Sequence, residues 1–191
     1  MSKKFFYFAF DLVKIVVISL AIIIPVRYFL IQPFYVQGSS MEPNFKNSEY
    51  LIIDEISYNF NDPRRGDVVV FEYPQNPREY FIKRIVALPG ERIEFRDGDI
   101  YIYNNIYEHG VRLVEDYLSE DLETFHGSKD NEIIKLGQEE YYVLGDKRNS
   151  SRDSRTFGPI EEDEIIGKVL FRGWPINRIQ FFNSIEYQLN E

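Results

Sequence analysis

The apolar residues of this chain follow two patterns that meet near residue 32. After Lys3 and Lys4 hydrophobicity rises abruptly. No charge interrupts Ile15 to Val26, and Tyr28-Phe29-Leu30-Ile31 carries the run past Arg27. A helix that crosses a bilayer needs about 20 residues. Ile15 to Ile31 comes within that range once Lys14 and Arg27 reach toward the head groups. Pro25 is tolerable there, because neighbours in a membrane satisfy the backbone groups it frees. The pattern therefore predicts one transmembrane helix over 11–31, behind an N-terminal segment, 1–10. A cleaved signal peptide would need small residues after its apolar core, whereas Pro25-Val26-Arg27-Tyr28-Phe29 is bulky. Asp11 and Lys14 would also permit a buried helix of a soluble domain, but an uncleaved anchor is the preferred reading. Lys3 and Lys4 favour a cytoplasmic N-terminus, which puts everything after Gln32 on the outer face.

From Phe34 onward the helical pattern gives way to alternation and short apolar runs. Tyr50-Ile53, Asp67-Tyr73, Tyr80-Leu88, Arg92-Phe95, Ile100-Tyr103, Glu140-Leu144 and Ile165-Phe171 read as strands. Asp62-Pro63, Arg65-Gly66, Pro89-Gly90 and Asn104-Asn105 punctuate them, and Asp97-Gly98 is a hairpin signal between its flanking strands. The soluble part is predicted to be mainly antiparallel β. Glu108 to Glu139 differs: it is acidic and lacks long apolar runs. It predicts a small inserted subdomain, drawn at 97–139, between two parts of a β core at 32–96 and 140–191, with its charges on a solvated face.

Composition narrows the chemistry. A net charge of −9 makes nucleic acid an unsuitable partner. Zero cysteines exclude disulfides and thiolate metal sites. The two histidines, His109 and His126, both lie in the acidic central region, so a Ser-His-Asp site or a histidine metal site is poorly supplied.

Three stretches carry candidate chemistry without histidine. Gly38-Ser39-Ser40-Met41-Glu42-Pro43 puts a hydroxyl between glycine and a proline turn, on backbone that can bend sharply. Serines beside glycine are mostly ordinary loop residues, so the hexapeptide alone decides nothing. In Tyr80-Phe81-Ile82-Lys83-Arg84-Ile85-Val86-Ala87-Leu88, strand alternation puts Lys83 on one face with Phe81, Ile85 and Ala87, and Arg84 on the other. An ammonium on an apolar face loses hydration, which lowers its pKa. Such an amine could take a proton from a serine, although a solvated edge lysine fits the same pattern. The polar loop from Gly145 to Arg155 offers carboxylates, guanidiniums and hydroxyls that could orient a catalytic amine, or simply form a solvated turn.

Taken in order, these residues resemble the type I signal peptidases, membrane-bound Ser/Lys peptidases that remove signal peptides from exported proteins. The likeness runs from an N-terminal anchor through Gly38-Pro43, Arg65-Phe71, Tyr80-Glu91 and Gly145-Arg155 to Gly167-Lys168. A single anchor and a short insertion are closer to the Gram-positive type. The resemblance implies an antiparallel coiled β-sheet catalytic core of the signal peptidase/LexA type, with no metal and no cofactor. By position it implies Ser40 as nucleophile, Lys83 as general base, and Ser151 as the hydroxyl that orients the amine. Asp146, Asp153 and Arg155 would brace the site, with Arg84 paired to one of the carboxylates. The Ser40 backbone N–H would hold the oxyanion. Substrates would be preproteins bound as extended strands near Phe34-Tyr35-Val36. Small, Ala-x-Ala-like side chains would enter pockets lined by Phe34, Val36, Met41 and Ile82, positions that core packing alone would also explain. Trp174 and Phe181-Phe182 are candidates for the lipid interface. Two positions depart from the family: Gly38 stands where the Gram-negative type has a serine donor to the oxyanion, and Lys147 stands where asparagine is usual.

Other classes fit less well. A self-cleaving LexA-type repressor would need a DNA-binding domain, for which the chain has no room. β-Lactamase-like motifs, Ser-x-x-Lys and Lys-Thr-Gly, are absent. A membrane-tethered β domain that binds secreted partners without catalysis is the alternative from outside the enzymes.

Overall fold

The computed structural model describes residues 3–29, 32–119, 122–182 and 189–190. Helix α1 (Lys3–Phe29) comes first. Its stretch Phe5–Ile23 is long and apolar enough to cross a membrane, and none of it is buried against the rest of the chain. The helix begins well inside the segment expected to precede it, because Phe5-Phe6-Tyr7-Phe8 is itself apolar and exposed. Leu30 and Ile31, the end of the expected span, lie outside the described residues, as do the side chains of Lys3, Lys4 and Arg27.

Strands follow as β1 (Gln32–Tyr35), β2 (Tyr50–Asp54), β3 (Val68–Tyr73), β4 (Asn76–Ala87), β5 (Arg92–Arg96), β6 (Asp99–Tyr103) and β7 (Val111–Leu113). Then come β8 (Ile133–Lys135), β9 (Glu140–Leu144), β10 (Ile160–Glu161), β11 (Ile165–Trp174), β12 (Gln180–Phe181) and β13 (Leu189–Asn190), with a short helix α2 (Ser154–Phe157) after β9. They form two antiparallel sheets. The larger runs β1-β2-β11-β3-β4-β9-β10, with β12 against β11, and the smaller runs β13-β7-β6-β5-β8. The mainly β, antiparallel architecture anticipated from the alternation is present. The strands missed were β1 and the short β7, β8, β10, β12 and β13, which offer too few alternations to register.

Strand β3 shows why the larger sheet holds together. It lies between β11 and β4 and is apolar on both faces, as a doubly covered strand must be. Val69 and Phe71 pack with Ile85, Tyr141 and Val143, while Val68 and Val70 pack with Val36, Met41, Phe45, Leu51 and Ile53. Strand β4 is long, and its ladder with β9 is irregular between Ile85 and Ala87. The irregularity corrects one expectation: Ala87 leaves the face of Lys83 and joins Val86 in a third cluster.

That third cluster joins the sheets, since Tyr142 and Leu144 of β9 meet Ile93, Phe95, Ile100 and Ile102 there. The smaller sheet takes β5 as well as the residues expected for an insertion, so it starts at Arg92 rather than 97. Asp97-Gly98 turns the β5–β6 hairpin with positive φ at both residues, 53° and 84°.

One feature of the larger sheet positions the site. Among the described residues β1 pairs only with β2, and β9 covers β4 only from Arg84 onward. The edges of Phe34–Tyr35 and Arg78–Ile82 are therefore both open. They face each other across a groove, where the Phe34 and Tyr80 rings meet edge-on at 5.9 Å.

Candidate active site

Ser40 sits in the turn that follows β1. Gly38 supports this turn with φ of +98°, and its N–H donates to Asn47 Oδ1 at 2.9 Å. Lys83, in the middle of β4, reaches the same point from the opposite wall. Its Nζ lies 2.9 Å from Ser40 Oγ and donates to the Ile82 carbonyl at 2.8 Å. The Phe81 ring lies 5.3 Å from the nitrogen. Only 4% of the residue is exposed. Burial is the dominant influence on this amine and pulls its pKa from 10.5 down to about 8, while the more distant Asp153 and Asp146 act weakly in the other direction. About a tenth of the amine is thus neutral at pH 7, far more than for a free lysine.

The residue next to it has the opposite surroundings. Arg84 points to the other face of β4, where Nε and Nη2 donate to the two Asp146 oxygens at 2.9 and 2.7 Å. Its plane lies over the Tyr117 ring at 4.0 Å. Asp146 also accepts from Asn44 Nδ2 at 2.8 Å, which ties the turn after Ser40 to β4. Asp153 caps α2 and takes a fork from Arg155 Nε and Nη2, both at 2.8 Å, while its Oδ2 accepts from Gly145 N–H at 3.1 Å.

Gly145 has a steric reason to be glycine. A Cβ there would come within 2.1 Å of Ser151 Oγ and 2.6 Å of the Ser40 carbonyl oxygen. The backbone of this loop also holds the Ser40 turn, since Lys147 N–H donates to the Ser40 carbonyl at 3.0 Å. The unusual Lys147 pairs across the half-exposed surface with Glu42 at 3.0 Å.

Two expected residues behave differently. Ser151 Oγ is buried beside Gly145 but has no hydrogen-bond partner, so the anticipated bond to the Lys83 amine is not made. Met41 is 1% exposed and packs with Phe45 and Leu51 in the core, because the turn after Ser40 directs it inward rather than into the groove. Phe34, Val36 and Ile82 do line the groove, together with Leu51 and Val70. Its volume is about 590 Å³.

Sequence reasoning missed the contribution of the acidic central region. Glu115 pairs with the buried Arg148 at 2.5 Å, Thr124 accepts from the same guanidinium at 2.7 Å, and the Phe125 carbonyl accepts from Arg155 at 3.1 Å. These residues brace the 145–155 loop from behind, so Glu115 does not belong to a solvated face. No local signal distinguishes Glu115 from its exposed acidic neighbours.

A hydroxyl and a buried amine line a cleft between two open strand edges, an arrangement that could serve hydrolysis of an extended peptide. The comparison with known proteins agrees: residues 9–174 match the family described as signal peptidase, peptidase S26, and the chain belongs to that family. A probable signal peptidase I-2 of Synechocystis sp. is 33% identical over 174 residues, covering 88% of this chain and 75% of the relative. Signal peptidase IB of Staphylococcus aureus is 30% identical over 177 residues, covering 87% and 90%. Among solved structures, a signal peptidase I from Enterococcus faecalis V583 is 30% identical, covers 56% of this chain and 97% of its own, and has a TM-score of 0.45.

Proposed function

We propose that this chain is a membrane-bound serine endopeptidase that removes N-terminal signal peptides from exported preproteins, with Ser40 as nucleophile and Lys83 as general base. The observation that carries the reading is the 2.9 Å contact between Ser40 Oγ and an amine whose burial lowers its pKa to about 8. Neutral Lys83 takes the hydroxyl proton as Oγ bonds to the scissile carbonyl carbon. The Ser40 N–H stabilises the oxyanion. The ammonium then protonates the leaving nitrogen, the C–N bond breaks, and an ester remains on Ser40. Water attacks that ester and gives its proton to Lys83, and as the C–O bond breaks the ammonium returns a proton to Ser40 Oγ, which restores hydroxyl and neutral amine. Ser151, with its unpartnered hydroxyl beside the pair, is the group available to steady the amine once it is charged. Asp146, Asp153, Arg84 and Arg155 hold the surrounding loop.

The substrate adds a strand between the open edges of β1 and β4, where backbone groups supply affinity and the apolar groove selects small side chains. Phe34, Val36 and Ile82 form that lining, and Met41 supports it from the core. Helix α1 anchors the enzyme with its N-terminus in the cytoplasm and the β core outside. Exposed Trp174 and Phe181 suit contact with the bilayer interface, whereas Phe182 is partly buried and lies tilted against Phe45 at 4.7 Å.

Cleavage of a preprotein by the full chain in detergent or liposomes tests the reading. The parent should cleave, and Ser40→Ala and Lys83→Ala should each abolish the product. Normal processing by both variants would remove the dyad, and no cleavage by the parent would favour a tether without catalysis.

A further inference from the structure

We infer that Arg152 is a specificity-determining residue that favours substrates carrying a carboxylate side chain close to the scissile bond; the inference rests on the peptidase reading above. Arg152 lines the groove together with Ser40 and Lys83. It follows Ser151, which packs against Gly145 beside the Ser40 carbonyl. Its guanidinium lies over the Tyr73 ring at 5.0 Å. Tyr73 in turn stacks on Phe81 at 4.5 Å with the rings 9° apart, and Phe81 is the ring beside the Lys83 amine. The Tyr73 ring, backed by Phe81, thus holds the guanidinium in the groove that Ser40 and Lys83 also line.

Unlike the paired arginines around it, Arg152 is exposed and lacks an anion. In the same loop Arg148 is paired with Glu115 and Arg155 with Asp153, and in β4 Arg84 is paired with Asp146. Among the described residues Arg152 has no hydrogen bond and no ion pair, only the Tyr73 face. The other charges of the groove do not compensate. Arg78 adds a second cation, and Glu79, the sole carboxylate of the lining, accepts from Asn76 at 2.7 Å. With Lys83 neutral in its working form, the groove carries a positive excess inside a chain of net charge −9. Complementary charge selects partners by favouring one sign and rejecting the other. A guanidinium stacked on a ring keeps its edge donors free, and that planar fork matches a carboxylate.

The test uses the full chain in detergent with peptides that span one cleavage site. Each flanking position in turn carries Asp, Asn or Lys, and the readout is the ratio of kcat/KM for Asp over Asn within each enzyme. That ratio is independent of how much enzyme is folded or active. The parent should show a ratio of about five at one or two positions, falling at high salt, and a preference against Lys there. Arg152→Glu should invert the order, Arg152→Gln should bring the ratio to one, and Arg152→Lys should restore part of it. A merely structural role for the Arg152–Tyr73 stack would slow all peptides alike. A ratio of one at every position in the parent, or a preference that survives Arg152→Glu, overturns the inference while cleavage of the Asn peptides keeps the peptidase reading intact. If the parent cuts none of the peptides, that reading falls and takes this inference with it.

Discussion

Lys83 and Arg84 are neighbours in one strand, each 4% exposed, and their two faces of β4 show opposite treatments of a buried cation. On one face Lys83 meets a hydroxyl, a carbonyl and an aromatic ring, with carboxylates only at a distance. On the other Arg84 meets a carboxylate in a two-pronged pair and lies on a tyrosine ring. Each arrangement suits the cation it holds. A guanidinium cannot shed its proton within the accessible pH range, so burial requires an anion. An ammonium can, and burial without a close anion turns it into a base. The fold places the two side by side: the paired cation holds the wall and the unpaired one stands 2.9 Å from the Ser40 hydroxyl.

The largest effect that would test this contrast is on catalysis. Lys83→Met should reduce cleavage about ten-thousand-fold, measured as kcat/KM on one preprotein, because the pair acts as a unit. The same variant should nevertheless be more stable than the parent. Moving the amine from 10.5 to about 8 costs roughly 3 kcal/mol at neutral pH. The unfolded chain binds a proton the folded chain lacks between those values. The cost is therefore full below about pH 8 and is relieved as pH rises toward 10.5. Denaturation of parent and Lys83→Met across that window should show the variant's advantage shrinking as the solution becomes more alkaline. A constant advantage would mean that packing, not the proton, is responsible.

On the other face the sign reverses. Arg84→Met leaves Asp146 buried without its guanidinium and should lose about 3–5 kcal/mol. Adding Asp146→Asn should recover much of that loss, because no orphaned charge then remains. Thermal unfolding of the single and double variants decides it.

A gentler probe is pH itself. Cleavage should fall about tenfold per pH unit on acidification below about 8 and level off above it, since protonated Lys83 cannot accept from Ser40. A midpoint at the ordinary lysine value would count against the buried amine. The smallest effect belongs to the half-exposed pair of Lys147 and Glu42. Lys147→Gln should shift stability by less than about 1 kcal/mol and lose even that at high salt.

Much of this contrast was legible in the chain before any tertiary contact was known. Alternation in Phe81-Ile82-Lys83-Arg84-Ile85 puts the two cations on opposite faces. Ser40, two residues after Gly38, and the polar loop after Leu144 were the other two candidate stretches. What could not be read is which partner each group takes. Asn44 reaches Asp146 across 102 positions and Glu115 reaches Arg148 across 33, and both depend on how the sheets fold over one another. The family resemblance implied a pocket role for Met41, but the turn geometry directs it inward. Ser151 looked like a partner of the amine, yet the backbone places its hydroxyl beside Gly145 without a bond.

The sequence by itself determined the apolar anchor, the strands long enough to show a period of two, the Asp97-Gly98 turn, and the face on which each cation of β4 emerges. All of these are local consequences of pleat and composition. The tertiary structure decided that β1 and β4 leave facing edges open, that Lys83 lacks a close anion while Arg84 has one, and that Glu115 and Thr124 brace the 145–155 loop. Those outcomes depend on burial and on pairs far apart in the chain, where charge is stabilised or neutralised by whichever groups the coiled sheet brings near.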